Sequence, residues 1–318
     1  MDEELVRTLL KEQHPDLADL ELEEVDGGWG NQMWRLGDDL ALRIPRHDPT
    51  SDPILREHRW LPEIAARVPL PVPTPVRLGQ PSERFPKAWL VTTWVAGEPA
   101  DRTPITSPRA ADTLAAFLQA LHTEAPADAP RAAGRGDGLG GHTEGFEKWA
   151  DEFAVEDAVR AVWADGVAAP VYAGPPVWLH SDLHPANVVV ADGTLAGVVD
   201  FGDLSHGDPA TDLSAAWLLL PDGSVDRFFD AYPVDDATYR RARAWAAARA
   251  LSLIAIGTAG VKRHPGGKPT WLPAGTAAMH RIVSAPPHST PPRSEPGSTS
   301  RTPAPERSGG AGVVDGGF

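Results

Sequence analysis

The chain has no cysteine among its 318 residues. That excludes disulfides, thiolate nucleophiles and Cys-based zinc sites, so any metal must be held by oxygen or histidine. No run approaches the roughly 20 apolar residues of a membrane span. The acidic start, MDEEL, also lacks the basic-then-apolar form of a secretory signal. The expectation is a cytoplasmic protein with no membrane partner. Cations are scarce as well: 29 Lys and Arg stand against 44 Asp and Glu, a formal net charge of -15. Residues 97–234 carry 22 acidic and 7 basic residues, whereas residues 235–283 carry 8 basic and 2 acidic. An acidic middle disfavours nucleic acid and would attract a cationic small molecule, although a solvated acidic surface accounts for the same count. The length suits roughly two domains or lobes.

What is present is concentrated in one segment, Trp178 to Trp217, WLHSDLHPANVVVADGTLAGVVDFGDLSHGDPATDLSAAW. The runs Val177 to Leu179, Asn187 to Val190 and Leu195 to Val199 read as short buried strands, with Asp192 and Gly193 as a hairpin turn. His180, Asp182 and Asn187 then fall on the first loop, and Asp200 follows the third strand. Two strands side by side would bring Asn187 and Asp200 together, an oxygen pair of the sort Mg²⁺ takes while keeping its waters and substrate phosphates. Asp182 could accept a hydroxyl proton as that oxygen attacks phosphorus. Asp208 before Pro209 reads as a helix N-cap, and Asp212 with Leu213 to Leu220 as helix packing.

The H-x-D-x-x-x-x-N loop followed by Asp200, Phe201 and Gly202 resembles the catalytic and metal-binding loops of protein kinases. HSDLHPAN, VVDFGD and GDPATDL together are closer still to the aminoglycoside phosphotransferase family of small-molecule antibiotic kinases, with macrolide phosphotransferases as near relatives. The resemblance implies an α+β, bilobal, protein-kinase-like fold with a small antiparallel β-sheet N-lobe and a larger, mainly helical C-lobe. It implies Mg²⁺-dependent phosphoryl transfer from ATP or GTP to a small-molecule hydroxyl, foremost an aminoglycoside. Macrolides and metabolic acceptors such as choline, homoserine or a sugar amine are alternatives, as is a pseudokinase that keeps the fold without turnover. By position, Asp182 takes the catalytic-base role, and Asn187 and Asp200 the metal-ligand roles. Ser181 stands where the family usually has Gly, a mild strain if that Gly serves a positive φ.

The nucleotide side follows the same resemblance. Gly27 to Asn31 would turn between two strands, with Gly28, Gly30 and Asn31 letting the backbone approach phosphate oxygens. In LALRIPR, Arg43 occupies the place of the usual phosphate-contacting Lys, and macrolide phosphotransferases have a similar L-R-I-P-R segment. Glu57 would pair with Arg43, as the kinase Glu pairs with its Lys. The alternative for Arg43 is an edge-strand surface position. Trp89 to Glu98 resembles the strand and hinge that hold adenine, with Thr92 bordering the pocket and the backbones of Thr93 and Val95 bonding the base.

Along the chain, residues 1–96 read as the nucleotide-binding lobe. Its strands are Leu20 to Asp26, Asn31 to Leu36, Leu40 to Ile44 and Trp89 to Val95. Its helix, Ser51 to Val68, is capped by Ser51 or Asp52 and kinked or broken at Pro62. PLPVPTPV, residues 69–76, is extended and cannot be a central strand. Residues 97–283 read as the catalytic and substrate-binding lobe, with helices over Arg109 to His122, Phe146 to Val162 and Asp236 to Lys262, and a loop over 125–141. Residues 284–318 form a low-complexity tail in which disorder is expected. Glu144, Glu147, Asp151, Glu152, Glu156 and Asp157 either meet ammonium groups of a substrate or form one solvated helix face. Trp149, Trp163, Trp178 and Trp217 either line a pocket or pack the core.

Overall fold

In the computed structural model, which describes residues 1–25, 30–46, 52–131 and 138–285, regular structure begins at a capped helix. α1 (Glu3–Gln13) follows Asp2, whose carboxylate accepts the Leu5 N–H at 3.0 Å, and it buries Val6, Leu9 and Leu10. The sequence reading assigns no helix here, although the cap and that apolar spacing signal one. The strands that follow are β1 (Leu22–Val25), β2 (Asn31–Leu36) and β3 (Leu40–Pro45). After α2 (Asp52–Ala65) come β4 (Pro75–Gly79) and β5 (Trp89–Thr93). They form one antiparallel sheet in the order β1-β2-β3-β5-β4. β2 alternates, with Gln32, Trp34 and Leu36 buried, whereas central β3 is buried from Ala41 to Pro45. β4 lies on the edge, where Pro75 costs no ladder bond. α2 runs past Pro62 without a break: so near the helix end, the missing N–H removes one bond, and the Ala66 N–H still donates to the Pro62 carbonyl at 3.2 Å.

The next strand, β6 (Glu98–Pro99), follows Gly97, whose φ is +134° and where a Cβ would lie 2.9 Å from the Val190 carbonyl oxygen. Only glycine fits that crossing. α3 (Ala110–Leu121) buries Leu114, Phe117, Leu118 and Leu121 as its spacing predicts. The single helix expected over Phe146 to Val162 is instead two, α4 (Thr143–Glu152) and α5 (Asp157–Ala168), because Ala154 turns the chain at φ +48°.

The central segment supplies β7 (Val177–Leu179), β8 (Val188–Ala191), β9 (Thr194–Val198) and β10 (Ser205–Gly207). β8 and β9 form the expected hairpin, with Asp192 and Gly193 both at positive φ, and β6 adds to its other edge. β7 is not part of that sheet; it pairs with β10. Helices α6 (Ala210–Leu213), α7 (Ala215–Leu219), α8 (Val225–Ala231), α9 (Asp236–Val261) and α10 (Trp271–Ser284) complete the described chain.

One apolar cluster joins α1 to the five-stranded sheet through Leu9, Leu10, Leu36, Leu42, Ile44 and Trp89. A larger one starts at Leu61 and Ile64 of α2 and runs through α3 to α9 and α10. α9 is the one described helix long and apolar enough to cross a membrane, yet it packs here between α5 and α10. All described residues belong to one compact unit, Met1–His288. Ser51 and all but the first two residues of the 284–318 tail lie outside the described residues, as do residues 132–137 of the 125–141 loop.

Candidate active site

Arg43 sits mid-strand in β3, opposite Met33 on one side and Leu90 on the other, so the edge-strand account of it fails. Its Nη1 donates to Glu57 Oε2 at 2.5 Å and its Nη2 to Asp200 Oδ1 at 2.9 Å. One guanidinium thus ties the sheet, α2 and the Asp200 corner together, and Arg56 adds a second tie from α2 by donating to the Gly202 carbonyl at 2.7 Å. Both Arg43 and Glu57 are buried. Burial raises the Glu57 carboxyl to about 7; Arg43 opposes that rise and Asp200 adds to it. Burial alone would lower Arg43, but Glu57 and Asp200 outweigh it and hold the guanidinium above its ordinary range. Arg43 Nε and Glu57 Oε1 are buried with no hydrogen-bond partner among the described residues.

The loop after β7 is clamped through its backbone. Buried Asp212, on α6, accepts the N–H of His180 at 2.7 Å and of Ser181 at 2.8 Å. Burial would raise this carboxyl, but the His122 hydrogen bond and charge, together with His180, hold it below the usual carboxylate range. Asp212 is therefore more than helix packing. It fixes a turn in which Ser181 has φ +71°, the conformation that glycine would adopt without strain. The Ser181 hydroxyl bonds Ser205 Oγ at 2.5 Å. His180 accepts the Asp182 N–H on Nδ1 and donates from Nε2 to the Val199 carbonyl at 2.9 Å, joining the loop to the end of β9.

Asp182 is partly exposed, with a side-chain accessibility of 26%. Asn187 Nδ2 donates to its carbonyl at 2.9 Å and approaches its Oδ2 at 3.4 Å, His184 Nε2 lies 3.6 Å from Oδ2, and Arg249 Nη1 reaches Oδ1 at 3.4 Å. Arg249 Nη2 also donates to the Ser181 carbonyl. Trp271 packs edge-on against His184, 4.7 Å between ring centroids.

The Val199 N–H donates to the Asn187 carbonyl, so the hairpin brings Asn187 beside the residue preceding Asp200. Asp200 stands at φ +62°, a corner Asp tolerates better than most residues, with a side-chain accessibility of 45%. The Asn187 amide spends Nδ2 on the loop, so Oδ1 is the atom that could ligate a cation. Two oxygen donors, one of them a half-exposed carboxylate, suit Mg²⁺, which retains waters and takes phosphate oxygens for its remaining positions.

Gly28 lies outside the described residues. Gly30 accepts the Arg46 N–H at 2.8 Å, and a Cβ on it would meet no described residue within 4 Å; Asn31 opens β2 opposite Pro45. At the other end of the sheet the Thr93 N–H is committed to the Thr74 carbonyl at 2.9 Å, so Thr93 can offer a base only its carbonyl. Thr92 is fully buried, and Val95 is buried one residue past Trp94, whose N–H donates to Asp39.

Other candidates fall away from this centre. Glu147 and Asp151 both pair with Arg160, while Glu144, Glu152, Glu156 and Asp157 are exposed, the pattern of a solvated helical face. Trp163, Trp178 and Trp217 are buried in the core. Asp208 accepts the Ala210 N–H at 3.0 Å as a cap should, and also pairs with Arg241 at 2.7 Å. Sequence reasoning misses Asp212, Arg249 and Trp271. Their partners lie far off along the chain, and only GDPATDL gave a signal, for Asp212.

The sequence matches the APH phosphotransferase enzyme family over residues 21–250. No curated protein sequence matches it. Among solved structures it is similar to an aminoglycoside 2'-phosphotransferase-IIIa bound to GDP, at 17% identity and TM-score 0.64, covering 89% of this chain and 99% of that one. It is similar to the GDP and kanamycin complex of APH(2")-IIIa, at 18% identity and TM-score 0.63, covering 87% and 97%. It is also similar to the macrolide 2'-phosphotransferase MphH from Brachybacterium faecium, at 20% identity and TM-score 0.56, again covering 87% and 97%. At these identities the likeness establishes the kinase-like α+β fold.

Proposed function

Since this chain belongs to the phosphotransferase enzyme family and is an enzyme that phosphorylates an alcohol group, we propose that its acceptor is a small-molecule antibiotic, foremost an aminoglycoside. ATP or GTP is the donor, and Asp182, Asn187, Asp200, Arg43 and Glu57 serve the transfer. The observation that carries this reading is Arg43 holding Glu57 and Asp200 at once, which organises the nucleotide side around a fixed cation. Kanamycin binding by a relative of the same fold, and the acidic excess over residues 97–234, favour a cationic acceptor. A macrolide is the second reading, favoured by the Leu42 to Arg46 segment LRIPR and by the similarity to MphH.

In this reading the acceptor hydroxyl lies against Asp182. As its oxygen bonds to the γ-phosphorus, the bond from that phosphorus to the β-phosphate bridging oxygen breaks. The nucleoside diphosphate departs with that electron pair, and the hydroxyl proton passes to the Asp182 carboxylate. Arg43 faces the phosphates, Gly28, Gly30 and Asn31 would approach them by backbone, and Thr93 and Val95 would hold the base. Asn187 Oδ1 and Asp200 would hold Mg²⁺, which when bound neutralises charge on the phosphate oxygens. Asp182→Ala tests the assignment: kcat should fall by about 10²- to 10⁴-fold, the usual share of general-base catalysis, with nucleotide Kd nearly unchanged. A variant with wild-type kcat would remove Asp182 from the mechanism.

A further inference from the structure

We propose that Arg249 is a positioning residue for phosphoryl transfer, holding the Asp182 carboxylate and the Ser181 peptide in register from α9; this rests on the assignment of Asp182 as base. Arg249 lies in the middle of α9, in a run of alanine and leucine, with its side chain only 14% accessible. A guanidinium so placed is costly unless it is paired. Two of its contacts are with the catalytic loop: Nη2 on the Ser181 carbonyl and Nη1 at 3.4 Å from Asp182 Oδ1.

The loop needs such a hold. Asp212 fixes the two N–H groups of His180 and Ser181 from α6, whereas Arg249 reaches the Ser181 carbonyl and the Asp182 side chain from α9. Ser181 at φ +71° carries a conformation that an L-residue keeps only where its surroundings impose it. The carboxylate torsion of Asp182 is soft by itself. Asn187 and His184 approach Oδ2, and Arg249 adds a contact on Oδ1. The planar fork of arginine can serve a carbonyl and a carboxylate at once, whereas lysine offers one point charge. Through this contact α9 also couples the loop to α10, whose first residue, Trp271, packs on His184.

The test uses the full chain with steady-state kinetics and thermal melts. Arg249→Met should lower kcat by roughly 10²-fold, the scale expected of a misplaced catalytic group, while KM for nucleotide stays within about twofold. Arg249→Lys should recover a part of that loss. In an Asp182→Asn background, Arg249→Met should change kcat by less than about twofold, because the group it positions is already disabled. Wild-type kcat in Arg249→Met overturns the inference, as does a full loss that persists undiminished in the Asp182→Asn background. If Arg249→Met fails to fold, Arg249→Lys in both backgrounds carries the same comparison. Wild-type kcat in Asp182→Asn alone would instead refute the base assignment, so the two failures are distinguishable.

Discussion

Glu57→Gln separates two accounts of the buried Arg43–Glu57 pair by the sign of a pH effect. If the pair behaved as a simple salt bridge, the folded state would favour the ionised carboxylate, and Glu57 would add stability as pH rises. Burial points the other way: the Glu57 carboxyl is raised from 4.5 to about 7. A group whose folded pKa is raised contributes stability that is fully present below its unfolded pKa and is lost as pH rises through the folded one. The window therefore runs from about pH 4.5 to about pH 7. At roughly 1.4 kcal/mol per pH unit the total is about 3 kcal/mol, of which about 2 kcal/mol falls between about pH 5 and about pH 7.5. Glutamine keeps the shape and cannot titrate. In urea unfolding of the nucleotide-free protein, the stability of Glu57→Gln minus that of wild type should rise by about 2 kcal/mol between those pH values. Packing changes that do not depend on pH cancel in that difference. A difference that stays flat, or falls with pH, would refute the reasoning and restore the salt-bridge account.

Two further substitutions probe the loop. Asp212→Asn should destabilise by about 3–5 kcal/mol in chemical denaturation and strongly reduce kcat, because an amide must turn its NH₂ toward a backbone N–H now held by a carboxylate oxygen. Ser181→Ala keeps the positive φ and loses the bond to Ser205, whereas Ser181→Gly loses the bond and also relieves the backbone. The glycine variant should therefore be the more stable of the two by about 1 kcal/mol in the same assay, and equal stabilities would mean that φ +71° costs nothing here.

Much of the fold and of the site is legible because its chemistry is local. The Asp192-Gly193 turn places Asn187 beside the end of the strand that leads to Asp200, and both residues fall where the hairpin reading puts them. Arg43 and Glu57 lie on a strand and a helix with clear patterns, and Glu57 is a charged residue on the apolar face formed by Ile54, Leu61 and Ile64. What escapes has no local signature. The break between α4 and α5 turns on one alanine at positive φ, a residue type that gives no warning. Asp212 reads as an ordinary helical acid until its distance from two loop amides is known, and Arg249 reads as one more arginine in an alanine-rich helix 67 residues from its partner. The Ser181 departure is the converse case: its family position raised a positive φ only as a condition, which the structure meets, but its hydroxyl contact with Ser205 required the fold.

The central claim is direct transfer of a phosphoryl group to a small-molecule hydroxyl at Asp182, and the mass spectrum of the product tests it most directly. The protein, Mg²⁺ and ATP or GTP would be incubated with a panel of aminoglycosides and macrolides. The account predicts that at least one acceptor gains the mass of a single phosphoryl group, and that the gain disappears with Asp182→Ala. Nucleotide binding with no acceptor modified, or a gain that survives Asp182→Ala, would contradict it.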